Sequence, residues 1–187
     1  MRLHRFFIEQ KISESGEIIA ADKDLIHQWG KVFRLKESDK VILFDGSGFD
    51  YVSEFVSLDR NRAVLKIIEK KLNENIPKKE IHLFQSVIKK DNFEWVMEKG
   101  TELGVSHFHP IISERSEKKN INFERARKII KEASEQSGRG NLPIISELKD
   151  FKDVLDNSFK SIVFHPTGER FDKTDFEKDK VIGIFIG

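Results

Sequence analysis

Residues 91–105 read DNFEWVMEKGTELGV, and the fold class turns on them. Phe93, Val96, Met97, Gly100 and Leu103 recur at helical spacing and form one apolar stripe. Asp91 with Glu94 three residues on fits a capping box. Gly104 stands where a left-handed C-terminal cap belongs, and Val105 opens an apolar strand straight after it. Gly100 inside the stripe costs roughly 1 kcal/mol against alanine, which points to a close approach that only glycine permits. The stretch therefore reads as a packed helix running into a strand, the unit of an α/β domain.

Outward from this helix the chain keeps the same alternation. Residues 81–88 form a predicted strand before it, and 105–112 one after it. Asn122 caps a helix through about Ser137, with Phe123, Ala126, Ile129, Ile130 and Ala133 inward. A short strand over 144–147, a short helix over 151–155 opened by Asp150, and buried strands at 161–164 and 181–186 complete the half. Strands alternating with helices imply a mostly parallel sheet covered by helices. The closing run VIGIFIG halts on Gly187, and ligands of such sheets bind beyond strand C-termini.

Residues 1–71 have a different rhythm. Strands are expected at 2–8, 40–44, 49–58 and 62–68. The turns are Asp45-Gly46-Ser47-Gly48 and Asp59-Arg60-Asn61. A short helix over 24–33 carries Leu25, Ile26, Trp29 and Val32. Several short strands and one helix suggest a small, partly closed β-barrel. The polar segment LNENIPKK, 72–79, is the linker candidate. The predicted organisation is thus a barrel over 1–71, a linker over 72–79 and an α/β domain over 80–187.

Composition narrows the chemistry. The 187 residues suffice for one medium or two small domains, with 38% hydrophobic and 35% charged residues. Cysteine is absent, which removes disulfides, thiolate nucleophiles and cysteine-bound zinc. No apolar run is long enough to span a bilayer. The charged MRLHRFF start does not suit a signal peptide, so a cytoplasmic protein is expected. Net charge is +1, from 33 basic against 32 acidic residues. Any RNA contact must then be a local patch.

The candidate sites each have a plainer reading. Gly138-Arg139-Gly140-Asn141 lacks the spacing of a P-loop or a dinucleotide fingerprint and reads as a helix-terminating loop. Glu135, Gln136, Ser137 and Arg139 gather polar groups at that helix end. They either meet a ligand or form a solvated last turn. His107 and His109 share one face of a strand, but no third ligand stands at a recognisable spacing, so they read as packed histidines and no metal is expected. Glu114 and Arg115 in SERS read as a surface ion pair. His165-Pro166 ends a buried strand, where ligands dock and where a turn-forming proline is equally at home. Arg2, His4, Arg5, Phe6 and Phe7, and again His27, Trp29, Lys31, Phe33 and Arg34, interleave cations with flat rings. That mixture suits RNA, and it equally suits barrel strands with aromatic cores and solvated charges.

Taken together, MRLHRFFI, HQWGKVFRL, LFDGSG, EKGTELGV, SERS, EASEQSGR and IFIG resemble the RsmE-type 16S rRNA uridine-N3 methyltransferases, in order and over almost the whole chain. The resemblance implies a PUA-like barrel that helps bind RNA, followed by a SPOUT domain. In that domain a C-terminal segment threads a knot, binds S-adenosylmethionine and supports a homodimer. By the resemblance, Phe164, His165 and Pro166 match the first cofactor loop, and Ile186 and Gly187 the opening of the second. The rest of that loop and the third are absent from this sequence, so the domain is expected to be incomplete at its C-terminus; if this stretch is the complete product, weak or absent donor binding and little methylation are expected. Arg2, Arg5, Lys31 and Arg34 are expected at RNA phosphates, with Lys89, Arg115 and Arg139 at the mouth of the catalytic domain. Glu102, Gln136 and Ser137 are expected to shape the pocket or dimer surface. The implied partner is 16S rRNA or the small subunit, without membrane or metal. The reaction would move a methyl group from the sulfonium to N3 of an extruded uridine, and no residue stands out as its general base. Two other classes remain open: a catalytically silent RNA-binding protein using the barrel, and a small-molecule α/β enzyme with an accessory barrel.

Overall fold

The computed structural model describes residues 3–13, 16–114, 120–156, 158–164, 167–168 and 170–187. Two compact units divide the chain. The first runs to Ile76 and takes in Gly138–Asn141. The second comprises Pro77–Ser137 and Leu142–Gly187. The division falls inside the 72–79 segment, but the return of residues 138–141 to the first unit has no counterpart in the sequence pattern.

In the first unit, β1 (Arg5–Phe7), β2 (Glu17–Ala20), β3 (Lys40–Phe44), β4 (Phe49–Leu58) and β5 (Ala63–Leu72) form one sheet in the order β1-β3-β4-β5-β2. β1 runs parallel to β3, and the other pairs are antiparallel. Register shifts between Val52 and Ser53 and between Phe55 and Ser57 act as bulges that curl the long β4–β5 ribbon. Phe6, Trp29, Val41, Leu43, Phe55 and Leu65 fill the hollow so made. This is the PUA-like barrel.

The expected helix over 24–33 is two pieces. α1 (Lys23–His27) is capped by Asp22, whose carboxylate accepts from the Leu25 amide at 3.0 Å. A π-helical turn, Gln28–Val32, follows. The Phe33 amide reaches back to the Gln28 carbonyl at 2.9 Å, and the widened turn leaves Trp29 fully buried while Val32 is 62% exposed. β2 was not expected from the sequence at all.

The second unit is a wholly parallel sheet. Its strands are β6 (Glu80–Ser86), β7 (His107–Ile112), β8 (Ile144–Ile145), β9 (Lys149–Asp150), β10 (Ser161–Val163) and β11 (Val181–Ile186). Their order is β10-β11-β6-β7-β8, with β9 also on β7. α2 (Lys90–Leu103) and α3 (Phe123–Ser137) cover one face, with Phe93, Met97, Ala126 and Ile130 packed on Leu83 and Phe108. The opposite face carries Phe84, Ile111 and Phe185 under Val154 of a 3-10 turn, Phe151–Val154.

α2 ends as the sequence predicts, on Gly104 in the left-handed conformation with φ of 99°. Gly100 faces the Phe108 ring so closely that an added Cβ would lie 2.7 Å from it. The capping box is not formed. The N-cap is Lys89, without a side-chain bond, and Asp91 sits in the first turn. Glu94 instead accepts from Arg125 Nε at 3.2 Å. Leu103 leaves the stripe and is 86% exposed, because the helix stops beneath it. Asn122 caps α3 as expected, accepting from the Arg125 amide at 2.9 Å. Among the described residues no helix is long and apolar enough to cross a membrane.

Candidate cofactor edge and nucleic-acid interface

Parallel pairing puts all the strand C-termini of the second unit at one edge. Val163 lies beside Phe185, and Ile186 beside Gln85, so Phe164 and Gly187 leave the sheet there together. Phe164 is 61% and Ile186 44% exposed, a high exposure for large apolar side chains. Gly187 packs on Ser86, whose side chain an added Cβ would overlap. His165 and Pro166, expected in the first cofactor loop, lie outside the described residues.

Next to this edge a cavity of about 310 Å³ lies just past the end of β6, between the first turns of α2 and α3. Val87, Ile88, Phe93 and Met97 make its apolar floor, and Lys90, Glu94 and Arg125 are charged groups on its wall. An apolar base with a few convergent polar groups is the usual make-up of a small-molecule site. Nothing in the spacing of these residues announces it, because helix packing creates the space.

The five described cations expected at RNA divide into two groups. Lys31, Arg34 and Lys89 are exposed, and Arg34 holds a positive φ of 54°. Arg5 is a correction. Its side chain is only 7% exposed and makes a forked ion pair with Asp50. Its Nη2 donates to Asp50 Oδ1 at 2.8 Å and to the Arg139 carbonyl at 3.1 Å. A guanidinium so engaged has no face left for phosphate. Arg139 is a second correction. It is 3% exposed in the first unit, donates to Asn141 Oδ1 at 3.3 Å, and burial pushes its guanidinium down from the ordinary value. Arg2 and Arg115 lie outside the described residues. The interleaved rings are core: Phe6 and Trp29 are buried, and Phe33 packs on Phe6 with centroids 5.2 Å apart.

Of the polar residues expected at the pocket or dimer surface, Glu102 is exposed and accepts from Lys99 at 2.8 Å. Ser137 donates back to the Ala133 carbonyl at 2.7 Å, a last-turn bond. Gln136 is exposed, whereas Glu135 is buried.

The strand histidines are a further correction. A third imidazole does join His107 and His109: the β6–β7 register sets His82 opposite His107. His82 Nδ1 and His109 Nε2 are 2.9 Å apart. Glu80 Oε1 lies 3.0 Å from His82 Nε2 and 2.9 Å from His107 Nε2. The bond from His82, against the opposing effect of burial, keeps the Glu80 carboxyl below its ordinary value. Burial first, then the neighbouring imidazoles, hold His109 down at about 4, and burial also lowers His107.

Residues 74–187 match the family model described as RNA methyltransferase domain, and residues 30–68 match the RNA methyltransferase PUA domain. Ribosomal RNA small subunit methyltransferase E 2 of Borreliella burgdorferi is 33% identical over 197 residues, covering 99% of this chain and 79% of that protein. The chain belongs to the ribosomal RNA small subunit methyltransferase E family. Ribosomal RNA small subunit methyltransferase E of Bacillus subtilis is 31% identical over 163 residues, 82% of this chain. The chain spans 63% of the length of that relative. Among solved structures, ribosomal RNA small subunit methyltransferase E from Neisseria gonorrhoeae, bound to S-adenosyl methionine, superposes with a TM-score of 0.87 at 23% identity. That match covers 98% of this chain and 78% of the other. The fold is therefore that of the family, a PUA-like barrel followed by a SPOUT sheet.

Proposed function

We propose that this protein takes part in methylation of small-subunit ribosomal RNA in the cytoplasm, moving the methyl group of S-adenosylmethionine to N3 of a uridine in 16S rRNA, and that it acts as a homodimer. The observation that carries the reading is the strand register that sends Phe164 and Ile186–Gly187 out of the sheet side by side. Exposed apolar groups beside a glycine suit the adenosine and the methionine chain of the donor. The Neisseria relative, with the same fold, is bound to that donor.

The sulfonium is the electrophile, so the protein's task is to position a uridine whose N3 has lost its proton. A paired N3 is inaccessible, and the base must be unpaired or turned out of its helix. The cavity past β6 suits an extruded nucleotide, with Ile88 and Phe93 beside the base and Lys90 and Arg125 for the flanking phosphates. Lys31, Arg34 and Lys89 supply phosphate contacts; Gln136 and Glu102 remain candidates for the pocket or dimer surface. With a near-neutral chain, such local contacts supply the affinity.

The test is calorimetry with S-adenosylmethionine on the protein from its complete reading frame, followed by nucleoside mapping of treated small subunits. Saturable donor binding and one new N3-methyluridine are expected. A protein that binds small-subunit RNA but ignores the donor would replace this reading with a silent RNA-binding role. Affinity for a free nucleotide with none for RNA would sink both.

A further inference from the structure

Four side chains at the other end of the second sheet take no part in the reading above. Glu80 and His82 lie on β6, and His107 and His109 on β7. His82 stands four residues before Ser86, about 13 Å from the cofactor edge at strand rise. The alternation of β7 puts His107 and His109 on one face, and the parallel register carries His82 to the same face.

One nitrogen from each imidazole lies within 4.8 Å of those from the other two. The three rings are partly buried, and their planes are within 12° of parallel. The His82–His109 bond needs one acceptor nitrogen, which His82 Nδ1 supplies when its Nε2–H faces Glu80. His109 Nε2–H then donates to His82 Nδ1, while His82 Nε2–H and His107 Nε2–H both donate to Glu80. An imidazole nitrogen that carries no proton has a lone pair to offer a cation.

A cavity of about 230 Å³ opens on His82 and His109. Glu147, Asp153 and Asp156 stand on its walls, with Lys149 as the basic group there. The excess of carboxylates raises the local concentration of cations, and the opening gives an ion a way in.

We propose that His82, His107 and His109 form a binding site for one divalent transition-metal ion of the zinc class. Three imidazoles with a water in the fourth position are a donor set that suits four-coordinate zinc, with nitrogen bonds of roughly 2.0–2.1 Å. Tetrahedral bonds of that length place ligand atoms about 3.3 Å apart, close to the His82–His109 spacing of 2.9 Å. Stacked rings cannot all hold one ion in their planes, so His107 turns out of the stack when the ion binds, while Glu80 keeps the His82 Nε2–H and orients that ring. The bound ion joins β6 to β7 at the centre of the sheet and serves a structural role.

Calorimetry of the untagged chain with zinc chloride tests this. One ion per chain is expected, with affinity at least about tenfold weaker in His82→Ala and in His109→Ala, as loss of a ligand implies. Addition of cobalt(II) to the wild-type chain should give the visible absorption of a tetrahedral ion, a readout that needs no variant. Glu80→Gln lies at an exposed position and keeps the fold, and it should weaken binding with the sheet intact. Binding unchanged in all three variants, an octahedral cobalt spectrum, or no binding by the wild-type chain would each overturn the proposal.

Discussion

Arg5 and Asp50 form a two-pronged ion pair across the first unit, Arg5 Nη2 to Asp50 Oδ1 at 2.8 Å and Nη1 to Oδ2. Asp50 also accepts from Asn73 Nδ2 at 2.9 Å, and Asn73 donates to the Gly138 carbonyl at 3.0 Å. The cation expected to grip RNA is thus the centre of a buried polar network. Removing one member strands the opposite charge. Arg5→Ala and Asp50→Ala should each destabilise the protein by about 3 kcal/mol, measured by urea denaturation. The double variant should cost much less than the sum of the two.

Arg34 is exposed with a positive φ, a conformation that costs a side-chain-bearing residue about 1 kcal/mol. Arg34→Gly should therefore raise the unfolding free energy by roughly that amount, while Arg34→Ala leaves stability nearly unchanged. Both should weaken binding to small-subunit RNA several-fold in a filter assay and make the salt dependence shallower. Undiminished binding by both would remove this residue from the interface.

Gly100 offers a test of packing against propensity. Alanine in a helix interior is ordinarily stabilising by about 1 kcal/mol. Here its Cβ would meet the buried Phe108 ring at 2.7 Å. The overlap should win, and Gly100→Ala should lower stability by about 1–3 kcal/mol. Adding Phe108→Leu should recover part of the loss, read as the shift in thermal midpoint.

Asp45 makes the acid limb of stability predictable. Burial alone would raise its carboxyl, but bonds from Ser47 and the Ile12 amide, at 3.0 Å, and the charge of Lys11 more than offset that and leave it low. A carboxyl depressed in the folded state stabilises fully above its unfolded value near 3.9 and loses that contribution as pH falls through the folded value. Asp45→Asn should be less stable than the parent at pH 7, and the gap should close below about pH 4. A gap that stays constant down to pH 2 would refute this account.

The residues that made the fold legible are those that act locally. Asp45-Gly46-Ser47-Gly48 and the alternation of 49–58 fix β3 and β4 without help from the rest of the chain. The apolar run at 181–186 identifies β11 the same way. β2 escaped because four residues, with Ile19 48% exposed, give too little alternation to see. The π turn escaped because Trp29 reaches the core only by widening the helix. At the candidate site, Phe164 and Ile186 were visible through family resemblance, but their adjacency depends on the β10–β11 register. The third imidazole was invisible for the same reason: His82 precedes His107 by 25 positions, and only strand pairing brings them together. Arg5 and Arg139 were misjudged because a pattern of charges does not reveal which ones meet a partner inside.

The loop at Gly138–Asn141, which the first unit reclaims from beyond the whole of α3, has a bearing on synthesis. Arg5 waits for a carbonyl supplied 134 positions later. A nascent barrel therefore emerges from the ribosome lacking its final acceptors, and completes its wiring only after β6, α2, β7 and α3 have been translated. Swapping that barrel between proteins would likewise take three splice points, not one.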